Sequence, residues 1–170
     1  MLGWSTQIRR SLAAVVAVTL TATGAVAVPA ALGTPTGMAD ARSAIKAAPD
    51  RYEDRIVYWT NVKRKRHGLR PVRKGPCPDR FAESWSRHLA ASGRFEHQDV
   101  SRMFSCGDWV RVAGENLARG TLTPRQVVNA WMRSPAHRAN LLKRGYVRIG
   151  VGSYRSLDDG RMYTAQTFLG

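Results

Sequence analysis

The sequence predicts an α+β fold on three observations. Two stretches carry apolar residues at helical spacing, around Ile56–Thr60 and Phe81–Leu89. A third helix opens at Thr123-Pro124 and a fourth at Pro135, each with proline in its first turn. The chain then alternates through Val147–Tyr154 and Met162–Phe168 around an Asp158-Asp159-Gly160 turn signal. Helices first and a terminal hairpin give α+β layering.

The N-terminus comes before that domain. Arg9 and Arg10 precede the apolar run SLAAVVAVTLTATGAVAVPAALG, as in a secretory signal peptide. Residues 1–31 are assigned to it, with cleavage somewhere in 27–41, where small-x-small sites recur. A single-pass anchor is the rival reading, but Thr19, Thr21, Thr23 and Gly24 interrupt the run. Residues 32–48 read as flexible linker and 49–170 as one domain with one core.

Within the domain, Asp50 and Glu53 form a capping-box pattern for the first helix. Ile56, Trp59, Thr60 and Lys63, with Val57 and Tyr58 beside them, form its inward stripe, and Gly68 ends it. Leu69, Pro71 and Val72 make an extended crossing to a turn at Gly75–Pro78. Asp79 is the expected cap of the second helix, whose face carries Phe81, Trp85, His88 and Leu89, with His88 a packing residue. Gly93 ends it and Phe95–Asp99 follows as a loop. Ser101–Arg111 is poorly patterned, with Trp109, Val110 and Val112 available for a short buried segment. Glu115–Ala118 reads as one helical turn stopped by Gly120. Val127, Val128, Ala130, Trp131 and Met132 line the third helix, Ser134 caps the fourth, and Leu141 and Leu142 anchor it. The last strand is expected to pair inside the sheet.

Lys and Arg number 27 against 12 Asp and Glu, a net charge of +15. That balance favours acidic surfaces. The dense cluster is Lys63-Arg64-Lys65-Arg66, followed by His67. No zinc-finger, RNA-reading or glycine-clamp motif surrounds it, so nucleic acid is not expected as a partner. It reads as a solvated helix end, or else as a patch drawn to the cell envelope. Cys77 and Cys106 are the two cysteines. In an exported chain an isolated pair is most simply one disulfide, with two free thiols the alternative.

Several motifs together resemble a known family. They are Gly114-Glu115-Asn116-Leu117-Ala118 with Gly120, and Trp131-Met132-x-Ser134-Pro135-x-His137-Arg138-x-Asn140-Leu141-Leu142. Ile149-Gly150-Val151-Gly152 and Tyr163-Thr164-x-Gln166-x-Phe168-x-Gly170 follow. Asn61-x-x-Arg64-x-x-x-Gly68-Leu69 and the segment Trp85–His97 precede them. In this order, from about residue 50 to the end, they resemble bacterial CAP (SCP-like) domain proteins. That superfamily holds the cysteine-rich secretory, antigen 5 and pathogenesis-related proteins.

The resemblance implies a three-layer α-β-α sandwich with a cleft. Fuller members carry two histidines and two glutamates there and can hold zinc or another divalent cation. Matched residue by residue, three of these positions fall on His97, Glu115 and His137. The second glutamate meets Ser134 instead. Two imidazoles and a carboxylate are enough for a zinc site with an open position. A purely structural role is the alternative: Glu115 holding loops in register and His137 capping its helix. Asn116 and Gln166 are expected to satisfy buried backbone groups. The favoured expectation is a secreted, monomeric, non-enzymatic module without a transmembrane anchor, binding a lipid, glycan or protein ligand at the envelope. A metal-dependent hydrolase on peptide or cell-wall substrates is the alternative, and a cationic envelope-binding module is a third.

Overall fold

A computed structural model describes residues 45–46 and 49–170. The signal peptide expected at 1–31, and all of the linker expected at 32–48 except Ile45–Lys46, lie outside the described residues. In chain order the elements are β1 (Ile45–Lys46), α1 (Pro49–Arg66), β2 (Arg73–Lys74), α2 (Pro76–Ser92), a 3-10 helix (Val100–Cys106) and β3 (Ala113–Gly120). Then follow α3 (Pro124–Arg133), α4 (Pro135–Leu141), β4 (Arg148–Arg155) and β5 (Met162–Leu169).

The sheet runs β1-β4-β5-β3, and β2 lies parallel to β4. The terminal hairpin is present as expected, and β5 sits between β4 and β3. The expected helical turn at Glu115–Ala118 is not there. That stretch lies in β3, paired to β5 from Ala113↔Leu169 to Gly120↔Met162. Glu, Leu and Ala have good helix propensity, but a full antiparallel partner overrides a preference of a few tenths of a kcal/mol.

Alternation along β5 separates the two faces. Phe168 packs with Ile56, Val127, Val128, Trp131 and Leu141, from α1, α3 and α4. Tyr163 and Ala165 pack with Ala82, Leu89 and Ala90 of α2. Helices thus cover both faces, and the three-layer α-β-α sandwich follows.

The outer edge of β4 explains two acidic residues that the sequence reading gave to helix caps. β1 covers one end of this edge and β2 the other. Between them the Ser153 N–H donates to Glu53 Oε1 at 2.8 Å, and the Val151 N–H to Asp79 Oδ1 at 3.3 Å. A buried backbone donor must find a partner, and two short edge strands leave these two to side chains. α1 therefore includes Asp50 rather than starting after it, and α2 starts at Pro76 behind Gly75.

The face of α2 also differs from expectation. Its buried residues are Pro78, Ala82, Ser86, Leu89 and Ala90, while His88 is exposed and stacks on Trp85. The reason is how close the helix comes to the sheet. A Cβ at Gly150 would overlap the Pro78 carbonyl, and one at Gly152 the Ala82 carbonyl and Glu83 Cα. Small residues on α2 meet glycines on β4, and the larger aromatic side chains turn aside.

Arg64 leaves the expected basic patch. Its side chain is fully buried, and its guanidinium donates to the carbonyls of Arg70, Leu141, Lys143 and Tyr146. Burial pulls its pKa down, against a smaller opposing effect of Tyr146. Lys63 is half-buried, which leaves Lys65 and Arg66 exposed. Cys77 and Cys106 form one disulfide, with Cα atoms 5.9 Å apart.

Valine at Gly152 should destabilise the domain by about 3 kcal/mol or more, because backbone rather than a flexible side chain stands in its way. Denaturant unfolding would measure this. A midpoint unchanged from the parent would contradict the close helix–sheet contact.

Candidate functional site

The motif Gly114-Glu115-Asn116 lies on β3, where alternate residues face opposite layers. Gly114 leaves room for the hydroxyl of Tyr146, which a Cβ would overlap. Glu115 and Asn116 then serve the two sides of the sheet separately.

Glu115 meets the loop that follows α2. Gly93 closes the helix in the left-handed conformation, with φ 68°. Phe95 packs into the α2-side core and Arg119 lies over its ring. The Trp85 indole N–H donates to the Glu96 carbonyl at 3.0 Å. Asp99 caps the 3-10 helix through Ser101 N, and the disulfide holds that helix to the start of α2. Loop 94–99 is therefore anchored at both ends and in its middle.

This places His97 Nδ1 2.7 Å from Glu115 Oε1. The Gln98 backbone N–H donates to the same oxygen at 3.3 Å, and Gln98 Nε2 to Oε2 at 2.5 Å. The Glu115 side chain is 1% exposed and that of His97 is 48% exposed. A carboxylate only accepts, so the network assigns the hydrogen to His97 Nδ1 and leaves Nε2 as the acceptor nitrogen. The result is a half-exposed imidazole fixed in orientation and tautomer by a buried acid.

Asn116 faces the other layer. Its amide donates to the His137 carbonyl at 3.3 Å and to Gln166 Oε1 at 3.1 Å. Gln166 in turn donates to Thr60 Oγ1 at 2.9 Å. Asn140 Nδ2 donates to the Glu115 carbonyl at 2.8 Å and to Asn116 Oδ1 at 3.1 Å. The Tyr146 hydroxyl donates to Asn140 Oδ1 at 3.4 Å, and burial pushes its pKa up to about 12. Asn116 and Gln166 thus satisfy a backbone carbonyl, as expected, but mainly each other and further side chains. Thr60, Gln98, Asn140 and Tyr146 are the members that the sequence reading did not assign to the site. Asn140 stood in the quoted motif, whereas nothing in the sequence marked Gln98.

His137 is half-buried in the first turn of α4. Burial pushes its pKa down, and the neighbouring His97 pushes it further. It makes no hydrogen bond with Glu115. Ser134 occupies the cap position of α4 but makes no side-chain cap bond. The structure therefore joins His97 to Glu115, sets His137 near them, and leaves Ser134 outside the network.

Both Glu115 oxygens and His97 Nδ1 are engaged with each other and with Gln98, which leaves His97 Nε2 and the His137 imidazole as the remaining donors. Among the described residues, no group of three or more His, Cys, Asp or Glu side chains could hold a metal ion.

Similarity to known proteins agrees with the fold. The family model of the cysteine-rich secretory protein family (CAP) matches residues 57–168. The uncharacterized protein YkwD of Bacillus subtilis is 36% identical over 125 residues, which are 70% of this chain and 47% of that protein. The chain thus spans about half the length of that relative. An SCP-domain extracellular protein of Bacillus anthracis is 26% identical, with a TM-score of 0.60 over 70% of this chain and 40% of the other. An outer surface protein of Borrelia burgdorferi shares the fold at 19% identity, with a TM-score of 0.66 over 74% and 97% of the two chains.

The His137 shift has a testable sign. Its folded pKa lies below the ordinary 6.5, so the unfolded chain takes up the proton first as pH falls. Stability should be unaffected above about pH 7.5, then decline as pH falls through about 6.5 and down to the folded pKa. His137→Gln should flatten that part of the profile, read as unfolding free energy against pH. Parallel profiles for the two proteins would contradict the shift.

Proposed function

The chain belongs to the cysteine-rich secretory protein (CAP) family, and from that premise we propose that it is a non-enzymatic binding module of the cell exterior. Its cleft takes a ligand or protein partner at the envelope, with the His97 imidazole as the contact group. The observation that carries this reading is the engagement of Glu115 by its own chain: both oxygens are bonded, which leaves a rigid, half-exposed imidazole to meet a partner. Rigid presentation of one donor–acceptor ring lowers the cost of binding.

Several features support export. The Arg9-Arg10 and apolar leader has the pattern of a secretory signal. The Cys77–Cys106 disulfide suits an oxidising compartment. Lys65 and Arg66, which remain exposed, add charge attraction to acidic envelope polymers that salt screens.

The test is saturable binding of the purified protein to isolated cell envelopes. His97→Ala should weaken retention about tenfold, the size of one good hydrogen bond to a held partner, in a protein that stays folded at the assay temperature despite the donor that Glu115 loses. Lys65→Gln with Arg66→Gln should alter only the salt-dependent part. Retention that does not saturate, or that ignores His97, would overturn the reading.

A further inference from the structure

A concave site adjoins the His97–Glu115 pair through Gln98. Between α2 and the 3-10 helix runs a groove of about 250 Å³, lined among others by Arg80, Phe81, Ser84, Trp85, Gln98 and Arg102. One wall is a helix and the other is the segment that the disulfide fastens to it, and Cys77 itself belongs to the lining. Its shape is therefore held by covalent structure as well as by packing.

The charge in this groove is unbalanced. No Asp or Glu lines it. Among the described residues, six arginines have internal work: Arg87, Arg119 and Arg125 lie over aromatic rings, Arg161 pairs with Asp159, and Arg64 and Arg155 hold backbone carbonyls, whereas exposed ones such as Arg144 do not. The guanidiniums of Arg80 and Arg102 have neither a carboxylate nor a ring as partner among the described residues. Asp99, which feels Arg102, is fully exposed and bonded to Ser101 N at 3.0 Å.

The aromatic wall is prearranged. Trp85 has one face covered by His88, at 4.7 Å between centroids and 25° between planes. Its indole N–H is already bonded to Glu96. What remains for the groove is ring surface, and Phe81 adds more. Two guanidiniums with free planar donors beside fixed aromatic surface favour a compact anion attached to a flat body.

We propose that this groove binds a small organic anion, a phosphate or carboxylate carried on a planar ring, with Arg80 and Arg102 on the anion and Trp85 and Phe81 against the ring. The volume suits a ligand of about one ring, below the range of drug-sized sites. The groove shares Gln98 with the Glu115 network, but its proposed ligand contacts are other residues and it does not depend on the function proposed above.

Calorimetric titration of the full chain with phenyl phosphate tests this, with benzoate, inorganic phosphate and benzyl alcohol as parallel arms. Phenyl phosphate or benzoate should bind saturably, and the better of the two identifies the preferred headgroup. Inorganic phosphate and benzyl alcohol should each bind at least about tenfold more weakly, because each lacks one half of the recognition. Arg80→Gln and Arg102→Gln should each weaken binding by about tenfold or more. Arg144→Gln, which removes the same charge from an exposed position elsewhere, should leave it unchanged. Absence of saturable binding by both ring-bearing anions would overturn the proposal. So would equal binding of inorganic phosphate or benzyl alcohol, or equal loss with Arg144→Gln.

Discussion

Glu115 carries a side chain that is 1% exposed, and its two oxygens receive donors from His97 and Gln98. A carboxylate so far from water is tolerated only when its lone pairs are met, since removing an ion from water without compensation costs several kcal/mol. That requirement reaches outward. β3 must pair with β5 in the one register that turns Glu115 toward the α2 layer, because a slip of one residue would send it to the other face. Loop 94–99 must then stand over the acid. The Phe95 anchor, the Trp85–Glu96 bond, the Asp99 cap and the disulfide all serve to hold it there.

The same rule organises the opposite layer. There Thr60, Gln166, Asn116 and Asn140 form a continuous chain of bonds that joins α1, β5, β3 and α4. Arg64 does comparable work beside it, gathering carbonyls around the end of α4 and the segment before β4. No buried side-chain polar atom among the described residues lacks a partner. Because these contacts cross between elements distant in sequence, they favour one arrangement of the layers over looser alternatives. The site inherits that rigidity, so the orientation of His97 is a consequence of how the fold closes.

What could be read from the chain was what local chemistry decides. Thr123-Pro124 announced α3, and the structure adds Gln126 to complete the capping box. The β4–β5 hairpin followed from alternation and an Asp-Gly turn, and the disulfide followed from there being two cysteines in a chain with a secretory leader pattern. Long-range pairing was not legible. Nothing local told β3 from a helical turn, since its strand character comes from β5. The small-residue face of α2 is set by glycines some 70 positions away. Arg64 looked like one cation among four, because the carbonyls that bury it belong to the far side of the molecule. In the site, His97, Glu115 and His137 came from family motifs. The closure of Glu115 by Gln98 rests on loop geometry that no spacing encodes.

The Glu115–His97–Gln98 network is complete in itself and presents the imidazole by its Nε2 edge. Nitrogen-15 NMR of the His97 ring, with and without added zinc, tests this. The expected result is a protonated Nδ1 whose proton is hydrogen-bonded to Glu115 and an unprotonated Nε2, with both resonances unchanged when zinc is added. An unprotonated Nδ1, or a zinc-induced shift of Nε2 with His137 shifting in step, would contradict this.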